Sequence, residues 1–207
     1  MIAIVDYRAG NLRSVQRACR EVGAEAELVA DAEALEKAER IIFPGVGTAE
    51  SGMDTLRLTG LGEALKAAFT RGTPIFGICL GAQIILDHSD EGDRPCLGLI
   101  PGRCRRFRPD DPLLKVPHIG WNQVRVIRRH PLLEDFPEGA DFYFVNSFYP
   151  DPEDETSVYG DTEYGRPFCS MLGRDNLFAT QFHLEKSGRF GLNLLERFTR
   201  WDGGTSC

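Results

Sequence analysis

Pro74-Ile75-Phe76-Gly77-Ile78-Cys79-Leu80-Gly81-Ala82-Gln83 is the stretch whose reading decides the fold. The apolar run from Pro74 to Ile78 predicts a short buried strand. It ends in Gly-x-Cys-x-Gly, and Ala82 to Leu86 predict the first turns of a helix. With serine in place of cysteine this is the nucleophile-elbow pattern, in which a sharp strand-to-helix turn holds a nucleophile where substrate can reach it. Gly77 and Gly81 flank the turn because a Cβ at either place would crowd strand against helix. The elbow also aims the first free N–H groups of the helix, including that of Leu80, at the space beside the sulfur. There they favour a thiolate and can later hold an oxyanion. An inert buried cysteine would fit the same short pentad, so catalysis requires a partner base elsewhere in the chain.

Upstream of the elbow the pattern alternates. Ile2 to Val5 predicts a strand, and Asp6-Tyr7-Arg8-Ala9-Gly10-Asn11 a turn. Leu12 to Val22 predicts a helix with Leu12, Val15, Ala18, Cys19 and Val22 on one face, ended by Gly23. Ala26 to Val29 predicts a second strand, Ala32 to Lys37 a short helix and Arg40 to Phe43 a third strand. This order predicts a parallel sheet with right-handed crossovers. Pro44-Gly45-Val46-Gly47 then lies at the carboxyl end of a strand, where ligands bind in open α/β sheets. Thr48 to Arg71 reads as helix broken near Gly60-Leu61-Gly62.

Downstream, Asp87 to Arg94 predicts an acidic surface loop, and from Gly98 the texture turns to short strands. These are Arg103 to Arg108, Val116 to Ile127, Asp141 to Asn146, Ser157 to Gly160, Pro167 to Leu172 and Leu177 to Phe182. Ser187 to Trp201 closes the chain as a helix with Phe190, Leu194, Leu195 and Phe198 in one stripe. The expected fold class is α/β: one domain over residues 1–202, with a central mostly parallel sheet flanked by helices and extra antiparallel strands in the second half. Residues 203–207 are expected to be a frayed tail.

Composition narrows the function. The 207 residues, 42% hydrophobic and 27% charged, suit one domain with a sizeable core. A formal charge of −7 argues against a general nucleic-acid binder. No apolar run is long enough to span a membrane, and the start of the chain reads as a strand and not as a signal peptide. The 6 cysteines include no Cys-x-x-Cys pair, which argues against zinc and disulfides and for a reducing cytoplasm.

Four histidines can supply the base. His88, in the acidic loop, and His130, before Pro131, are expected at the surface. His183 ends the strand Leu177 to Phe182 and stands two residues before Glu185. Residues two apart on a strand share a face, so the carboxylate can hold one ring nitrogen and leave the other free for the thiol proton. Cys, His and acid form the constellation for acyl transfer through a thioester. A strand-end histidine with a first-turn glutamate would be the structural alternative. Arg103 to Arg108 and Asp151 to Glu155 read as a solvated face and a surface loop. Trp121, beside Gly and Asn, suits either core or an interface anchor.

Gly77-Ile-Cys-Leu-Gly81 with Gln83, and Ala179-Thr-Gln-Phe-His183-x-Glu185, resemble the class I (triad) glutamine amidotransferases. Asp6-Tyr7-x-x-Gly10-Asn11, Pro44-Gly45-Val46-Gly47, Gly98-Leu-Ile-Pro-Gly102, Pro117-His118-Ile-Gly120-Trp121-Asn122 and Glu185-Lys186-Ser187 narrow the resemblance. Within the class it is to the glutaminase subunits of imidazole glycerol phosphate synthase, and it spans nearly the whole chain. The resemblance implies hydrolysis of glutamine to glutamate and ammonia, with Cys79 as nucleophile, His183 as base and then acid, and Glu185 as orienting carboxylate. It places the oxyanion hole at the backbone of Leu80 with Val46 or Gly47. Gln83, Gly47, Ser147 and Phe148 would hold the glutamine, and Asn11, His118, Trp121, Asn122 and Lys186 would lie near a docking face. The implied partner is a (β/α)8-barrel cyclase, joined as a heterodimer, that receives the ammonia; no cofactor or metal is implied. Relatives that feed other synthases, and an inactive regulatory subunit, are the alternatives. Three positions depart from the pattern: Leu184 replaces the proline after the histidine, Asn146 replaces a histidine before Ser147, and Arg8 replaces a small residue.

Overall fold

A computed structural model of the chain describes residues 1–205. The first half runs β1 (Ile2–Val5), α1 (Leu12–Glu21), β2 (Ala26–Val29), α2 (Ala32–Glu36), β3 (Arg40–Gly45), α3 (Ala49–Thr59), α4 (Leu61–Thr70), β4 (Ile75–Cys79) and α5 (Leu80–Ile84). The second half runs β5 (His88–Ser89), β6 (Arg94–Pro95), β7 (Gly102–Arg106), β8 (His118–Gln123), β9 (Arg125–Val126), β10 (Asp141–Asn146), β11 (Phe148–Pro152), β12 (Val158–Glu163), β13 (Pro167–Arg174), β14 (Leu177–Thr180) and α6 (Gly188–Arg200).

The main sheet has 8 strands in the order β2-β1-β3-β4-β14-β13-β12-β9. β1 to β4 and β14 are parallel, and the remainder of the sheet is antiparallel. The strands nearest the elbow are fully buried because helices cover both faces, which is why they read as unbroken apolar runs. On one face α1 and α6 set Leu12, Val15, Leu194, Leu195 and Phe198 against Ile4, Ile42, Phe76 and Phe178. On the other, α2 to α5 pack Leu35, Leu56, Leu61, Leu65 and Ile84 against Val5, Phe43 and Ile75. Burying each such side chain contributes about 1.5–3 kcal/mol.

Local signals set the helix ends. The Asp31 carboxylate caps α2 through the Ala34 N–H at 2.8 Å, and the Thr48 hydroxyl caps α3 through the Ser51 N–H at 3.2 Å. Gly60, at φ +74°, ends α3 and opens α4, as the break in the sequence predicts.

The strands of the β-rich half are divided among three sheets. Val116 to Ile127 is two strands: β8 pairs with β10 in a two-stranded sheet, and β9 joins the edge of the main one. A third sheet has the order β11-β7-β5-β6. It includes β11, where a loop is expected; Pro150 and Pro152 are tolerated because β11 is an edge strand bonded on one side only. It also draws His88–Ser89 and Arg94–Pro95 of the expected acidic loop into short strands.

His130 is a correction. It is 2% exposed, packed against Tyr159, Phe178 and Trp201, and its Nδ1 accepts the Leu132 N–H at 3.2 Å. Burial pushes its pKa down to about 4. Of the expected tail, Gly204 accepts a hydrogen bond from the Trp201 indole at 2.7 Å, and residues 206–207 lie outside the described residues.

Candidate active site

Cys79 closes β4 with φ +54° and ψ −103°, a conformation that side chains rarely adopt and that the surrounding packing must enforce. Both elbow glycines have a measurable reason. A Cβ on Gly77 would lie 2.9 Å from the Ala179 Cβ, and one on Gly81 only 1.8 Å from the backbone oxygen of Phe43. The elbow is therefore wedged between β3 and β14, the two strands that flank β4.

His183 follows β14 with φ −88° and ψ +99°. It is extended without the proline that Leu184 replaces, because its N–H donates to the Tyr143 carbonyl at 2.9 Å and its carbonyl accepts from the Ser187 hydroxyl at 2.6 Å. Glu185 is not on the strand, as expected, but in a 3-10 turn over Leu184–Lys186. That turn is held against α6 so closely that a Cβ on Gly191 would be 1.9 Å from the Leu184 oxygen. The pair meets nevertheless: His183 Nδ1 lies 2.7 Å from Glu185 Oε1, with both side chains buried.

The same Glu185 oxygen accepts from Asn11 Nδ2, while Oε2 is buried without a partner. Asn11 takes φ +77° at the start of α1, and this turn delivers its amide to the triad. Burial alone would depress the His183 pKa, but the charge and hydrogen bonding of Cys79, followed by those of Glu185, raise it to about 10. The protonated ring is therefore favoured, and Nε2 is buried without a hydrogen-bond partner. A cysteine, a histidine and an acid brought together here are equipped to attack a carbonyl carbon and then protonate a leaving amine.

Three side-chain amides continue the site. Gln83 donates from Nε2 to the Phe148 carbonyl at 2.9 Å and to Gln181 Oε1 at 3.0 Å. Asn146 donates to the same Phe148 carbonyl at 2.9 Å. Gln181 Nε2 lies 3.6 Å from the Cys79 sulfur. The sequence reading gives Gln181 no role of its own, although a polar amide within the apolar run Leu177 to Phe182 is a readable signal; the structure buries it fully. Tyr7 was overlooked too: its buried hydroxyl has no partner, and burial, then Cys79, holds its pKa well above the usual value.

A profile described as glutamine amidotransferase class-I matches residues 3–200. The chain belongs to that family. This amidotransferase is 50% identical over 203 residues to the imidazole glycerol phosphate synthase subunit HisH of Maridesulfovibrio salexigens, covering 96% of this chain and 95% of the relative. It is 45% identical over 210 residues to the HisH subunit of Neisseria meningitidis serogroup B, covering 96% and 99%. Among solved structures it is similar in fold to a glutamine amidotransferase (TM-score 0.75, 19% identity, 96% of this chain and 98% of the other). PurLQS from Thermotoga maritima is equally similar (TM-score 0.75, 19% identity, 96% and 97%). Within its family the amidotransferase groups with the HisH subunits, and it is a glutamine hydrolase.

The other expected site residues divide clearly. In the parallel register Gly45 pairs with Cys79, which puts Val46 and Gly47 beside the elbow, Gly47 at φ +127° and exposed. The Ser147 carbonyl is taken by the Phe107 N–H at 3.0 Å, and that of Phe148 by Gln83 and Asn146. On β8 the side chains alternate. Ile119 and Trp121 point outward, 61% and 57% exposed, whereas His118 is 4% exposed and stacked on Tyr164 and Phe144. Asn122 bonds inward to the Glu163 carbonyl at 2.9 Å. Two of the three expected docking residues on this strand therefore face the protein, and Ile119, not anticipated, shares the outer face with Trp121. Lys186 adds to that face, with Nζ 5.5 Å from the Tyr143 ring, which in turn meets Trp121 at 5.8 Å. Arg8 sits at φ +62°, in the left-handed region.

Among the described residues no cluster of three or more His, Cys, Asp or Glu could hold a metal ion, and no helix is long and apolar enough to cross a membrane. In the arginine strand Arg103 and Arg105 pair with Asp90 and Asp151.

Proposed function

We propose that the chain is the ammonia-supplying subunit of an imidazole glycerol phosphate synthase. Cys79 attacks the side-chain amide of glutamine. The oxyanion is held by the Leu80 N–H together with that of Val46 or Gly47, and His183 gives its proton to the departing ammonia. Water, with His183 now the base, releases glutamate from the thioester. An oxyanion donor is typically worth about 3 kcal/mol of barrier. Gly47, Gln83, Ser147 and Phe148 form the glutamine pocket in this reading. The ammonia passes to a (β/α)8-barrel cyclase, which makes imidazole glycerol phosphate and AICAR from PRFAR in the cytoplasm.

The observation that carries the reading is the hydrogen-bonded series from Asn11 through Glu185 to His183, whose pKa Cys79 and then Glu185 raise, beside an exposed apolar face of Ile119 and Trp121. Together they join a nucleophile site to a docking surface. The test measures glutamate release by the chain alone and with the cyclase barrel and its substrate. Little release alone and a large rise in the complex is expected. Cys79→Ala should remove glutamine-dependent synthesis and leave ammonia-dependent synthesis intact; a Cys79→Ala variant that still hydrolyses glutamine refutes the reading.

A further inference from the structure

We propose that Gln181 is a catalytic residue, supplying a fixed N–H donor to the Cys79 sulfur. The role rests on the reading of Cys79 as the nucleophile and adds to it the group that stabilises the thiolate on the side away from the solvent.

Hydrogen-bond polarity along the amide chain assigns this role. The Phe148 main-chain carbonyl is an acceptor that cannot be turned round. The Gln83 amide must therefore present its NH2 to it, at 2.9 Å. The second hydrogen of that NH2 goes to Gln181, at 3.0 Å, so Gln181 must turn its oxygen toward Gln83. Its own NH2 is left facing Cys79, 3.6 Å from Sγ. Rotating the Gln181 amide by half a turn would bring two NH2 groups together and set a carbonyl oxygen against the sulfur. Rotating Gln83 as well would press its oxygen on the Phe148 carbonyl. Asn146 donates to the same carbonyl at 2.9 Å, so both lone pairs of that carbonyl are used.

The donor is held as firmly as it is oriented. Gln181 is fully buried and its N–H donates to the Ser170 carbonyl at 2.9 Å. The neighbouring Thr180 hydroxyl bonds the Phe182 carbonyl at 3.0 Å. An N–H aimed at a sulfur in a dry site strengthens when the sulfur becomes anionic, so the contact favours the thiolate over the thiol. It also restrains the side chain that must meet the glutamine carbon.

The test is alkylation of Cys79 by iodoacetamide across pH, followed by mass spectrometry of the Cys79 peptide, beside steady-state hydrolysis in the cyclase complex. Gln181→Met keeps the length and removes the donor. Its alkylation profile is expected to move to higher pH by about one unit, with kcat lowered about tenfold or more and KM changed less than twofold. Gln181→Glu keeps the shape and places an acceptor against the sulfur, so it should move the profile further in the same direction. Normal profiles and kcat in both variants overturn the proposal. So does a loss of kcat that follows only a loss of folded protein, with alkylation unchanged. If Cys79 were not the nucleophile, Cys79→Ala would keep glutaminase activity, which separates failure of that reading from failure of this one.

Discussion

Replacing Glu185 by glutamine removes one charge and leaves the geometry of the triad in place. Two donors, Asn11 Nδ2 and His183 Nδ1, converge on Oε1. Both demand an acceptor, so the glutamine amide will turn its oxygen toward them. Its NH2 then occupies the place of Oε2, which has no partner. A hydrogen bond to a charged group is worth about 1.5–3 kcal/mol against about 1 for a neutral pair, and a buried unsatisfied NH2 costs about 1–3 kcal/mol. The neutral hydrogen bond remains, so the imidazolium loses the difference, about 0.5–2 kcal/mol, and kcat for glutamine falls by about 2- to 30-fold. The pH dependence is expected to change as well. The His183 pKa is raised from 6.5 in the unfolded chain to about 10. Cys79 supplies the larger part of that rise and Glu185 the rest, so the stability that Glu185 contributes through it is present below pH 6.5 and lost as pH rises through about 10. In Glu185→Gln that contribution shrinks, so the stability gap between wild type and variant should be widest near pH 6.5 and narrow toward pH 10. Glutamate release in the cyclase complex measures the first effect, and denaturant unfolding at the two pH values the second. A variant with kcat within twofold of wild type and a constant stability gap would refute the reasoning.

Gly81→Ala forces a Cβ to within 1.8 Å of a backbone oxygen and should cost about 3 kcal/mol or more, seen as a fall in Tm of about 6–12 °C. Trp121→Ala, at an exposed site, should alter the stability of the isolated chain by no more than about 0.5 kcal/mol while weakening its association with the cyclase, as read by titration calorimetry. His130→Asn keeps an acceptor at the Leu132 N–H but no longer titrates. Because burial lowers the His130 pKa from 6.5 to about 4, the wild type loses stability as pH falls through that window, and the variant should lose less, whatever its stability at pH 7.

The elbow could be read in the sequence because its parts are local. A parallel strand covered on both faces is an apolar run, and the two glycines sit where backbone meets backbone. β8 could be read as a strand but not its facing: His118 and Trp121 are three apart, so they lie on opposite sides, and the residues of one motif were divided between core and surface. β11 was concealed by prolines that only an edge position permits. His130 looked like a turn residue because the ring cluster that buries it comes from β12, β14 and the end of α6. The contact of Asn11 with Glu185 was not legible, since the carboxylate it holds is 174 residues away and nothing local signals it.

The main-chain carbonyl of Phe148 has a consequence for how this site can vary. Because it sets the direction of the two glutamine amides in series, positions 83 and 181 do not vary independently. Changing either one alone strands a donor or an acceptor in the core, whereas a simultaneous change to two apolar side chains of the same volume need not. A single-substitution library scored for folded protein should therefore show both positions as intolerant, and the alternatives that restore folding, though not the Gln181 donor, will emerge only among paired substitutions.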